Sequence, residues 1–261
     1  MQDQTRIRAA VLTALSMSLT LLGLAVRAEE NAKSNTAFPH GHYSALETLP
    51  DWGGIWTLNF SPPAAGAAAP EKPALKGQYL KDYQAWQREV EAKGGLVTRQ
   101  SSNCVPPGLP GIMNIFQYPM EFLFTPGKVT IHMEAWMQWR TVYTDARTHP
   151  SDWEPTFYGH SIGHWENATL VVDSVGIKTS VALGMGMKHS ERLHIVERMH
   201  LAKDDPDTLV IETTLDDPLA LDKPWHTRAT YARSRQGELL EFICAENDRN
   251  PVDAAGNTQF K

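Results

Sequence analysis

The chain has 261 residues, 42% of them hydrophobic and 21% charged, with a formal net charge of −6. That length and apolar content supply one good core and fit a single β-rich domain with additions. The acidic balance, with no basic patch, excludes a nucleic-acid binder and argues against anionic membrane surfaces as partners.

Residues 1–28 read as a secretory signal peptide. Arg6 and Arg8 give a positive start, Ala9–Val26 an apolar run softened by Thr13, Ser16, Ser18 and Thr20, and Val26-Arg27-Ala28 a cleavage site. No later segment is apolar for long enough to span a bilayer, so the expected location is periplasmic or secreted, with no membrane contact once the signal is removed. Cys104 and Cys244 are the two cysteines. An oxidising compartment makes a disulfide between them the simplest reading, and two such distant residues cannot build a Cys-based metal site.

Residues 29–50 are an irregular lead-in, 51–250 the expected barrel domain, and 251–261 a flexible tail. Asp51–Phe60 reads as a first strand entered through Gly53-Gly54. Ser61–Pro73, rich in Ala and Pro, is a linker. Leu75, Tyr79, Leu80, Tyr83, Trp86 and Val90 recur at helical spacing, which predicts one amphipathic helix over 75–92, ended by Gly94-Gly95. Ser101–Pro119 is a stiff, Pro-rich loop, read as a surface connection, with a lid beside the sheet opening as the alternative. Four hairpins are then expected, the last pairing Trp225–Ala232 with Leu239–Cys244. The whole predicts a mainly β fold, an antiparallel up-and-down barrel of about nine or ten strands, with a curved sandwich as the alternative.

Gly54-Ile55-Trp56, ahead of such a meander, resembles the opening of lipocalin-like (calycin) barrels, and the resemblance implies that the Trp closes the barrel floor. CVPPGLPGIM, YPMEFLFTPGKVTI, YTDARTHP, YGHSIGHWENATLVVDSVG, HSERLHIVER and TLVIETTLDDP resemble a family of exported bacterial proteins over Trp52–Asn247. That resemblance implies export and a β-rich fold and carries no catalytic assignment.

Eight of the ten histidines lie between His132 and His226. If Val129–Tyr143 is one unbroken strand, alternation puts His132, Glu134, Trp136, Gln138 and Arg140 on one face. An Arg beside aromatic side chains suits an aromatic acid, with His132, Trp136 and Trp139 lining its site. Arg140 is the candidate anion clamp and Tyr143 the partner for a phenol or carboxylate, although alternation puts those two on opposite faces. His160, beyond a loop holding Trp153, is a candidate acid or base. Glu197 is a lone acid among Leu193 and Ile195, a pattern that suits a proton donor, with an ion pair to a neighbouring strand as the plainer reading. His194 joins the catalytic set, and His189 and Arg192 the substrate-binding set.

His160 and His164 on one strand would lie about 13 Å apart, too far for one ion. With no zinc-protease signature either, no metal is expected. Ser161, Ser190 and Ser234 lack nucleophile-elbow glycines, and Gly184-Met185-Gly186 lacks a dinucleotide pattern, so no cofactor is expected. The expected function is a cofactor-independent acid–base lyase. It would carry out decarboxylation or C–C cleavage on a small aromatic molecule, of the kind that includes lignin-derived phenolic compounds. Phenolic acid decarboxylases offer the fold-level analogy: a lipocalin-like barrel in which Arg and Tyr hold a carboxylate and Glu moves a proton. The alternative is an exported carrier of an apolar or aromatic ligand.

Overall fold

The structure is a computed structural model. It describes residues 41–59, 71–95, 104–115, 117–184 and 186–244, so the expected signal peptide, most of the expected lead-in and linker, and the expected tail lie outside the described residues. Nine strands close into a barrel in chain order. They are β1 (Ile55–Leu58), β2 (Met120–Thr125), β3 (Lys128–Met133), β4 (Gln138–Tyr143), β5 (His160–Glu166), β6 (Thr169–Val175), β7 (His194–Ala202), β8 (Asp205–Asp216) and β9 (Trp225–Ser234). Helix α1 (Gly77–Ala92) buries no residue; it lies outside the barrel, where Trp86 covers Gly186 and Asp82 pairs with Lys188. Among the described residues no helix is long and apolar enough to cross a membrane.

The expected uniform antiparallel order fails at one step. β4 and β5 are parallel, with Val142 opposite Ser161 and Tyr143 opposite Ile162. Parallel neighbours cannot be joined by a tight turn; the chain must cross over a sheet face. Residues 144–159 make that crossover, pinned by Leu109 N–H donating to Phe157 O and Thr156 N–H donating to Gly176 O.

The expected fourth hairpin also fails. β9 is hydrogen-bonded to β8 on one edge and to β1 on the other, so no edge is left for Leu239–Cys244. That segment instead forms a strap: Leu240 N–H donates to Glu134 Oε2 at 2.7 Å, Phe242 packs on Tyr118 and Trp136, and Cys244 is joined to Cys104. The disulfide therefore ties the loop before β2 to a strap after the last strand, not to a strand.

Val129–Tyr143 is a third correction. It is a hairpin rather than one strand, because the chain turns at Glu134–Met137, with Trp136 at φ 56° and Met137 at φ 48°. The turn inverts the expected faces. Arg140 pairs opposite Ile131 and points inward, whereas Trp139 pairs opposite His132 and points outward.

The interior is packed with side chains. Trp52 is buried against Phe122, Phe124 and Trp165 with ring centroids 5.0–5.7 Å apart. Trp56 is fully buried under the Arg233 guanidinium, 4.5 Å from the ring. Leu109, Ile112 and Met113 of the Pro-rich loop are buried, and Met113 O accepts from the Tyr231 hydroxyl. The cleft left between Trp56, Met113 and Tyr231 has room for about one water molecule.

Candidate functional site

Alternation along the strands divides the expected catalytic residues into two groups on opposite sides of the barrel wall. Arg140 and Glu197 point inward and are each 1% exposed. Arg140 donates to both Glu197 oxygens and to Ser174 Oγ, and the Ser161 and Ser174 hydroxyls are 2.7 Å apart. Glu197 is therefore not a lone acid, because a cation from β4 takes both its oxygens. A bidentate pair of this kind is spent on itself, and removing one partner leaves the other charged and buried. The pair braces the barrel and offers a substrate neither an anion clamp nor a proton donor.

Tyr143, His160 and His194 point outward and meet on the opposite side of the wall. Their inward neighbours Val142, Ser161 and Ile195 are all buried, which sets the direction. Tyr143 and His160 lie on the parallel strands β4 and β5, with rings stacked 5.4 Å apart. The crossover adds two residues. His149 Nδ1 lies 2.8 Å from His160 Nδ1, and the Trp153 ring stands edge-on to His160 at 4.8 Å. β6 adds Asp173, outward between the buried Val172 and Ser174. Its Oδ1 lies 3.1 Å from His149 Nε2 and 2.8 Å from His194 Nε2. His194 reaches Asp173 across a diagonal, since Asp173 pairs directly with Val196.

His160 is only 4% exposed. Burial, and secondarily the neighbouring His149 and Arg147, lower its pKa from 6.5 to about 4. It is thus an uncharged imidazole at neutral pH, as a general base must be. Arg147 stacks over Tyr143 at 3.8 Å and is held by both Asp145 oxygens at 2.8 and 2.7 Å.

The remaining expected binding residues lie elsewhere. His132 stacks on Trp139 at 3.7 Å and pairs with Glu121 at 3.0 Å, forming a separate patch on the outer face of β2–β4. Trp136 is packed by Phe242 under the strap. His189 is buried beside its neighbour's carbonyl, and Arg192 is exposed in the turn before β7, its backbone N–H held by Ser190 Oγ.

Asp173 and the pairing role of His149 are the parts of this cluster that sequence reasoning missed. Asp173 carries a signal that points to it: it is the one ionisable residue in β6, flanked by valines and a serine. Nothing in the linear pattern brings His149 to it, because that contact exists only once the chain crosses over.

Among the described residues, no group of three or more His, Cys, Asp or Glu side chains is arranged to hold a metal ion. No known protein-family model matches the chain, and no curated protein matches it.

Proposed function

We propose that this protein is an exported, cofactor-independent acid–base lyase acting on a small aromatic molecule, with its site on the outer wall where β4–β7 meet. The observation that carries the reading is His160, a nearly buried imidazole kept neutral at pH 7 beside the Tyr143 phenol and under Trp153. In this reading His160 takes a proton from the substrate, Tyr143 engages a phenolic oxygen, and Trp153 stacks on the aromatic ring. The substrate's para-hydroxyl gives that proton, the phenolate pushes electrons through the conjugated side chain as His160 returns the proton to the carbon bearing the leaving group, and the C–C bond of the resulting quinone methide then breaks as its electrons restore the aromatic phenolate.

The barrel itself we read as lipocalin-like. Trp56, fully buried under Arg233, supports the floor-closing role that the Gly54-Ile55-Trp56 resemblance implies, and the parallel β4–β5 step is a departure from that plan. Membership of the exported bacterial family belongs to the same reading, and the Cys104–Cys244 disulfide supports export. The carrier alternative draws less support, because a carrier needs a lumen and this interior is filled by its own side chains.

The test is turnover of a panel of phenolic acids and aryl dimers by the purified protein, followed by mass spectrometry with and without a chelator. Turnover indifferent to chelation, and lost in His160→Gln, is expected. Binding without turnover across the panel would favour the carrier, and loss on chelation would overturn the cofactor-free reading.

A further inference from the structure

Three short contacts run in series from His160 to the outer surface: His160 Nδ1 to His149 Nδ1, His149 Nε2 to Asp173 Oδ1, and Asp173 Oδ1 to His194 Nε2. Their proton positions follow from the acceptor at the centre. A carboxylate only accepts, so His149 Nε2 carries its proton and donates it to Asp173. Neutral His149 then has a bare Nδ1, which can only accept, so His160 Nδ1 carries a proton and donates it. Neutral His160 is left with its lone pair on Nε2, and that nitrogen makes no hydrogen bond among the described residues. Asp173, two residues removed from His160 in the network, thus sets which nitrogen of His160 is basic.

We propose that His149 and Asp173 are positioning residues that form a proton relay: His160 captures a proton at Nε2 and passes the charge to His149, where Asp173 holds it. The step balances without any other reactant. A substrate O–H or C–H gives its proton to His160 Nε2. The His160 Nδ1 proton moves to His149 Nδ1. His160 ends neutral, with its proton on Nε2, and the positive charge rests on a His149 imidazolium in contact with the Asp173 carboxylate. This resolves a conflict in the site. Burial makes cationic His160 costly, which would leave it a feeble base, and moving the charge one ring outward removes that cost. The other groups facing the pair do not disturb the assignment. Arg147, although paired with Asp145, adds to the cost of a cation on His160 and so favours passing the charge outward, Tyr143 and Trp153 present ring faces and edges, and His194 donates to the same Asp173 oxygen. The relay makes the ligand an un-ionised proton donor, such as an alcohol or phenol, rather than one already ionised. It rests on the assignment of His160 as the base.

Imidazole 15N resonances of the full chain at pH 7 test the relay without any substrate. The expected result is His160 protonated at Nδ1 and bare at Nε2, with His149 protonated at Nε2. The opposite His160 tautomer overturns the proposal. Asp173→Asn separates charge from shape, because the amide oxygen still accepts from His149. The tautomers should persist while protonation of the histidine pair moves about one pH unit lower, a tenfold weaker hold on the proton. An unchanged titration, with the fold intact by the same spectra, overturns the relay. Correct tautomers in a protein that turns over no member of the aromatic panel leave the relay standing and defeat the lyase reading instead.

Discussion

His160 joins two demands that conflict at the level of one side chain: a base must be reachable, and this one is nearly buried. The consequence is visible in folding as well as in chemistry. An unfolded histidine titrates near 6.5, and His160 in the fold near 4, because burial first, and then His149 and Arg147, disfavour its cation. Between those values the unfolded chain binds a proton that the folded chain refuses. Stability is therefore complete above about pH 6.5 and falls as the pH drops towards 4, by about 3 kcal/mol from this group. Urea denaturation at pH 7 and pH 4.5 should show that loss. His160→Gln should lose less over the same interval by about that amount, and equal losses would mean that the fold does not hold this imidazole neutral. Glu197 teaches the converse lesson. An acid on an apolar strand face reads as a catalytic group until its partner is known, and here the partner is Arg140, brought from a strand 57 residues away.

Among the elements, the crossover at 144–159 decides the site. It supplies His149 and Trp153, and its seat is Gly176, whose φ of +70° suits glycine. A Cβ there would stand 2.7 Å from Trp153 Cδ1. Gly176→Ala should therefore cost about 1–2 kcal/mol in backbone strain and push the indole off His160. Turnover of the aromatic panel should fall by about 100-fold, the scale at which a displacement near 1 Å acts on a positioned group. The Trp153 indole N–H resonance should shift with it; a shifted indole with full turnover would show that Trp153 has no part in holding substrate. The parallel β4–β5 step was not legible beforehand. A loop of this length suits an antiparallel connection as well as a crossover, and the residues of 144–159 carry no helical period that would mark the usual parallel link.

At the scale of the whole described fold, the protein is a closed barrel filled by its own side chains and latched by the Cys104–Cys244 disulfide. Cys104 and Cys244 are 140 residues apart in sequence, so their link restrains a very large loop in the unfolded chain. Cys104→Ser with Cys244→Ser should destabilise the protein by about 2–5 kcal/mol, read as a lower midpoint in urea. The strap's contacts fall on Tyr118, Glu134 and Trp136, ahead of β4, so the His160 and His149 resonances should keep their positions in that variant under native conditions. Their collapse would mean that the latch organises the site as well.

Local pattern alone determined much of this. The β-rich class, the helix beside the linker, three of the four hairpins and the opposite facing of Arg140 and Tyr143 follow from side-chain period and turn chemistry, which act over a few residues, and the pairing of the two cysteines follows from there being two of them in a chain that reads as exported. The tertiary structure decided the rest: that β9 closes on β1, that β4 and β5 run parallel, that the turn at Glu134–Met137 reverses the face of Arg140, and that Tyr143, His160 and His194 gather outside the wall with His149 and Asp173. Each of those depends on which strand edges meet and on where a long connection travels. Contacts between residues far apart in sequence fix both, and no periodicity in the chain records them.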